Sequence, residues 1–191
     1  MSPSTEPRDR VLSAVVTVAG RTGLGGLTVD EVAREAGVGR ASVYRWFPGG
    51  REQLVDEGIT WEVGRFLLRL GHAVRDAADL RQRLIVGLPF AHRAIVEHTV
   101  LQRLLATEPG GLLPQLQQTS PVVVAVLRDA IRPWIEAEPT RRPEVDPGEA
   151  AEWLARMVVS FMAEPGRWDL ADPAEVAALV DGELLAGIVT G

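Results

Sequence analysis

Arg40, Ser42, Tyr44 and Arg45 bring guanidinium, hydroxyl and phenol groups onto one face of a short stretch of chain. Such a set can hydrogen-bond to base edges and phosphates in a DNA major groove. An ordinary helical hairpin with a solvated face would carry the same groups, and Tyr44 could equally be packing. Other chemistries find less support. His72, His92 and His98 do not make a metal pair one turn apart, and no H-E-x-x-H arrangement occurs, so solvated or core histidines explain them better. Gly23-Leu24-Gly25-Gly26 follows a helical pattern rather than a strand and lacks the Lys-Ser/Thr of a phosphate-binding loop. No triad pattern is visible. The chain has no cysteine, which excludes disulfides, thiolate zinc sites and cysteine nucleophiles. The expectation is a protein that is not an enzyme, with no catalytic residue, metal or cofactor.

The elements that must position Arg40 to Arg45 are legible on either side. Thr28-Val29-Asp30-Glu31 reads as a capping box, with Leu27 and Val32 as its hydrophobic staple. Val32, Ala33 and Ala36 then face one side of a short helix, where Val38, Val43 and Phe47 can meet them. Between them, Ala36-Gly37-Val38 is a three-residue turn with glycine where a left-handed backbone is needed. Two short helices joined by that turn make a helix-turn-helix over residues 28–47.

Apolar residues recur three and four positions apart along the rest of the chain, which predicts an all-α protein. Helices are expected over 7–23, 28–36, 40–47, 51–75, 79–98, 99–107, 120–137, 147–164 and 173–189. Ser120-Pro121, Asp146-Pro147 and Asp172-Pro173 each read as a helix start, a capping side chain followed by proline at the first helical position. Glu149 and Glu175 sit three residues after the last two caps, where they complement the helix dipole. Loops are expected at 23–26 and 139–147.

The 191 residues carry a net charge of -6, which on its face disfavours a nucleic-acid partner. The distribution matters more than the sum. Through Arg51 there are seven arginines against five acids; beyond it there are thirteen against twenty-one. Every basic residue is arginine. A modestly basic segment therefore precedes an acidic one. The N-terminal residues mix acids with arginines and read as no signal peptide. The longest aliphatic run, Val122 to Leu127, falls far short of the roughly 20 residues that cross a bilayer. No membrane partner is expected, and the cytoplasm is the expected location.

Residues 8 to 58 resemble the N-terminal region of the TetR family of transcriptional regulators. The resemblance rests on three segments. Val32-Ala33-Arg34-Glu35-Ala36-Gly37-Val38 and Tyr44-Arg45-Trp46-Phe47 are similar to the family's A-x-x-A-G-V and Y-x-x-F signatures. Arg10-Val11-Leu12, Arg21-Thr22-Gly23 and Leu27-Thr28-Val29 match its first helix in pattern and spacing. Phe47-Pro48-Gly49-Gly50-Arg51-Glu52 resembles its link into a long fourth helix. Ala19 stands where an aromatic is common, Arg40 where lysine is usual, and Gly49-Gly50 loosen the link.

The resemblance implies phosphate contacts from Thr28, Tyr44 and Arg51 and base reading by Arg40, Ala41, Ser42 and Arg45. Arg40 is the foremost base reader, near the N-terminal end of the recognition helix, since arginine paired with guanine is the commonest specific contact. The resemblance also implies an architecture: a helix-turn-helix DNA-binding domain over 1–50, joined by the long fourth helix to a helical effector-binding and dimerisation domain over 51–191. His98 to Pro109 resembles a recurrent segment of the second domain.

Phe66, Phe90, His92, Trp134, Met157 and Phe161 are candidates to line the effector pocket, although core packing would explain each of them too. Pro89 either frees the Ile85 carbonyl inside a helix or marks a helix break. Leu154, Val158, Phe161 and Met162, with Val176, Leu179, Val180, Leu184 and Ile188, form two apolar seams. Gly182, Ala186 and Gly187 permit close approach. In the family such helices pair with their symmetry mates, so a homodimer interface is expected there, with monomer core as the alternative. The function implied is a repressor released from an inverted-repeat DNA operator by a small hydrophobic effector. A transcriptional activator, or a helical ligand-binding or protein-interaction module, is the alternative.

Overall fold

Capped starts and apolar stripes of three-to-four spacing become nine α-helices in the computed structural model, which describes residues 6–190. They are α1 (Pro7–Gly26), α2 (Val29–Ala36), α3 (Arg40–Trp46), α4 (Gly50–Ala73), α5 (Leu80–Val96), α6 (Thr99–Thr107), α7 (Pro109–Glu136), α8 (Pro147–Ala163) and α9 (Pro173–Leu179). A π-helical turn, Val180–Leu184, continues α9. The described residues contain no β-strand, only an isolated bridge between Arg141 and Val189. The all-α expectation is met. Residues 1–5, part of the N-terminal segment read as no signal peptide, lie outside the described residues.

The chain packs as two units that interleave along the sequence. The first comprises 6–66 and 97–119, the second 67–96 and 120–190. This packing does not divide at residue 50, so the boundary between 1–50 and 51–191 is one of role and belongs with the proposed function.

In the first unit, Val11, Leu12, Val15 and Val18 of α1 pack with Leu27, Val32, Ala33, Val43, Phe47 and Leu54, with Leu104 of α6 and Leu112 of α7 in the same core. Helix α1 runs three residues beyond the expected end at Gly23. It does so only through a break, because Gly23 adopts φ 77° and ψ 172°. A side chain there would collide with the Glu108 carboxylate, which accepts a 3.0 Å bond from the Gly25 amide.

In the second unit, Leu80, Leu84 and Leu88 of α5 pack with Ile131, Ile135, Ala151, Leu154, Leu170, Val176, Leu179, Val180 and Leu184. Asp146 caps α8 by accepting from the amides of Gly148 and Glu149, both at 2.9 Å, and Asp172 caps α9 by accepting from that of Ala174 at 2.7 Å. Helix α5 continues through Pro89, so that proline is not a break.

Two expected boundaries are corrected. Helix α7 begins at Pro109, not at 120, and Ser120-Pro121 lies inside it. Proline at the first helical position, the rule applied to Pro121, already operates at Pro109. Leu112 and Leu116, one turn apart, hold residues 109–119 against the first core, whereas Val124 and Ile131 pack in the second. The last helix stops at Leu179 instead of running to 189. The Leu185 amide bonds back to the Val180 carbonyl at 2.9 Å, five residues away, and glycines at 182 and 187 weaken the helix. Arg142 then takes up the terminal carbonyls: its side chain donates to Ala186 and Val189, each at 3.1 Å, and its amide to Ile188 at 2.9 Å.

Candidate nucleic-acid interface

Helix α2 is fixed before it meets α3. The Thr28 hydroxyl oxygen accepts from the Glu31 amide at 3.2 Å and contacts the Glu31 carboxylate at 3.1 Å. This is the capping half of the expected box; the Glu31 side chain reaches the Thr28 hydroxyl. Leu27 and Val32, the staple pair, are both buried. At the other end Gly37 takes the left-handed conformation, φ 66° and ψ 38°, and its amide closes the α2 terminus onto Ala33 and Arg34. No residue with a Cβ adopts that backbone without strain.

The turn delivers α3 with Val43 and Phe47 fully buried beneath it. The opposite face is open: Arg40, Ala41, Tyr44 and Arg45 are exposed, and Ser42 is half-buried. Tyr44 is 40% exposed. The sequence-expected readers therefore stand together on one accessible face.

Their partners differ. The Arg40 Nη1 donates to Asp30 Oδ2 at 3.0 Å, across from α3 to α2. Its Nη2 lies 3.5 Å from the Tyr44 hydroxyl, and the guanidinium sits 5.4 Å from that ring's centroid. Hydrogen bonding to Tyr44 first, and the charge of Asp30 second, hold the Arg40 pKa above its ordinary value. Arg45 lies over the Trp46 ring at 5.4 Å. Arg8 pairs with Glu57 and lies 5.0 Å over the Phe47 ring, tying the start of α1 to this domain.

Arg51 is engaged differently from the sequence expectation. Its Nε donates to the Leu27 carbonyl at 3.1 Å and its Nη2 to that of Leu24. It therefore ties the first turn of α4 to the segment leading into α2, which leaves Nη1 for any phosphate. Asp30 was not singled out by sequence reasoning. The only signal was an acid ten residues before an arginine, which becomes a contact through the α2/α3 crossing.

The other expected site residues lie elsewhere. Trp134, Met157 and Phe161 are half-buried against the second core, and the Arg83 guanidinium lies 4.7 Å over the Trp134 ring. Phe90 and His92 are half-buried on α5, and Phe66 is half-buried on α4. A shallow surface depression lined by Arg128, Asp146, Gly148, Glu149, Glu152, Trp153 and Arg156 contains none of them.

The residues expected at a dimer seam differ in exposure within the single chain. Leu154, Val176, Leu179, Val180, Leu184 and Ile188 are buried in the chain's own second core, so they offer no surface to another copy. Val158, Phe161 and Met162 keep partial exposure. Among the described residues, no single helix is long and apolar enough to cross a membrane.

A glycine-turned helix pair, packed on a third helix and presenting arginines, a serine and a tyrosine outward, defines a helix-turn-helix DNA-binding protein. Residues 11–57 match the family model described as bacterial regulatory proteins, tetR family. Residues 11–57 are thus similar to the helix-turn-helix DNA-binding domain of tetR-family transcriptional regulators. Over 172 residues it is 24% identical to an uncharacterized HTH-type transcriptional regulator of Mycobacterium tuberculosis, a match covering 90% of this chain and 82% of the relative.

Solved structures show the same fold. A putative TetR-family transcriptional regulator from Rhodococcus sp. aligns at TM-score 0.63 and 23% identity, covering 92% of this chain and 97% of that one. The TetR-family transcriptional repressor QsdR of R. erythropolis aligns at TM-score 0.63 and 19% identity, covering 99% and 98%. These relatives are regulators rather than enzymes.

Proposed function

We propose that the chain is a cytoplasmic repressor that reads an inverted-repeat operator as a homodimer and is released by a small hydrophobic effector. The observation that carries the reading is the α3 face, whose exposed Arg40, Ala41, Tyr44 and Arg45 stand over the buried Val43 and Phe47. Residues 1–50 would supply the reader and residues 51–191 its control. Arg40, Ala41, Ser42 and Arg45 would meet base edges; Thr28, Tyr44 and the free edge of Arg51 would meet phosphates. Symmetric half-sites require two readers, and Val158, Phe161 and Met162 on α8 are the expected residues still available for pairing.

Repression is favoured over activation by the name of a similar protein, QsdR being described as a repressor. The effector would be met by Phe66, Phe90, His92, Trp134, Met157 and Phe161, all half-buried and therefore within reach of a rearrangement. The test is selection of bound duplexes from a random pool, followed by a screen for compounds that release the selected DNA. An enriched inverted repeat is expected. A pool that stays random, or an enriched site that no hydrophobic compound releases, would count against DNA reading or effector release respectively.

A further inference from the structure

We propose that Asp30 is a specificity-determining residue of the α3 reader, acting by positioning Arg40. The inference rests on the DNA-reading function just stated. Asp30 lies in the first turn of α2, where the helix dipole favours a negative charge. Its carboxylate takes one terminal nitrogen of Arg40, Nη1, at 3.0 Å. The Tyr44 ring lies beneath the guanidinium at 5.4 Å.

Arginine carries considerable rotamer entropy, and an unheld guanidinium on an open helix face would sample phosphates as readily as bases. Asp30 holds the fork at Nη1, while the Tyr44 hydroxyl lies a long 3.5 Å from Nη2. The fork therefore keeps Nε and a weakly engaged Nη2, whose contact guanine O6 and N7 would replace in a bidentate pair. Arg40 and Asp30 are each 61% exposed, so the pair contributes little to folding. The carboxylate also repels phosphates near the reader. That repulsion acts on every duplex alike, whereas the positioning favours a site that presents guanine to Arg40.

The experiment measures affinity for the selected operator and for a scrambled duplex, at one salt concentration, in the wild-type chain, Asp30→Asn, Arg40→Ala and the double variant. Asp30→Asn is expected to lower the operator-to-scrambled ratio about tenfold, within the range for one base contact, and to blur the base preference at one position. Asp30→Glu, which retains the charge, is expected to recover most of the ratio. In the Arg40→Ala background, Asp30→Asn should leave the ratio unchanged.

An unaltered ratio in the wild-type background would overturn the inference, showing Asp30 to be a general repulsive charge. An equal fall with Arg40 absent would overturn it too. Failure of the wild-type chain to select any sequence would overturn the DNA-reading function together with this inference. A selected operator bound with an unchanged Asp30→Asn ratio would overturn this inference alone.

Discussion

Arg51, in the first turn of α4, donates from Nε to the carbonyl of Leu27, the residue before the α2 cap, at 3.1 Å. A second donation reaches Leu24, so one guanidinium satisfies two carbonyls at the end of α1. Arg51→Ala is therefore expected to lower the unfolding free energy by about 2 kcal/mol, since bonds from a charged donor are the stronger kind. Arg51→Lys should not restore it, because an ammonium lacks the fork. Urea unfolding checks both. Unchanged stability with the salt slope of DNA binding reduced by about one would make Arg51 a phosphate contact instead.

Thr28 is expected to matter first to folding. Thr28→Ala removes the hydroxyl acceptor of the Glu31 amide and should cost about 1 kcal/mol. Thr28→Ser or Thr28→Asp should retain most of it. Thermal unfolding of the three variants orders them, and an alanine variant as stable as the wild type would refute the capping role.

The α8 seam separates folding from pairing. Leu154→Ala empties part of the second core and should cost about 2–5 kcal/mol. Val158→Glu places a charge on a half-exposed position and should turn a dimer into a monomer that remains folded. Sedimentation velocity with circular dichroism distinguishes the two. A dimer that survives Val158→Glu would place the interface elsewhere.

Arg81 and Asp181 form a two-point pair at 2.7 and 2.8 Å, joining α5 to the π-turn. The hydrogen bond from Arg81 holds the Asp181 carboxyl below its ordinary value. A depressed folded-state pKa contributes stability above the unfolded value, about 3.9, and that contribution disappears as pH falls through the lower folded value. Both partners are about half exposed, so Asp181→Asn should cost no more than about 1 kcal/mol at neutral pH. The wild-type advantage should stay constant above about pH 5 and shrink below about pH 4. Urea titrations at several pH values test this, and an advantage that grows on acidification would contradict it.

The reader was legible because its determinants are local. Thr28 caps within four residues, Gly37 turns within three, and Val43 and Phe47 alternate with exposed groups one turn apart. Asp30 was not legible as a partner of Arg40, because their contact depends on how two helices cross. The seam at Val176, Leu179, Val180 and Leu184 was ambiguous for a related reason: an apolar stripe records burial without recording whether the covering surface comes from the same chain, and here the chain's own second core covers it. Ser120-Pro121 has the letters of a helix start, yet Leu112 and Leu116 on the first core extend α7 through it. Residues that fold by nearest neighbours announce themselves, and those that depend on distant packing do not.

The central claim is that the exposed face of α3 reads DNA sequence. The direct measurement is titration of the selected operator and a scrambled duplex of equal length with the wild-type chain and with an Arg40→Ala, Arg45→Ala double variant. A sequence reader should prefer the operator by roughly a thousandfold or more. The double variant should lose most of that preference while remaining folded. Equal affinity of the wild-type chain for both duplexes, or a preference that survives the loss of both arginines, would contradict the assignment of α3 as the reader.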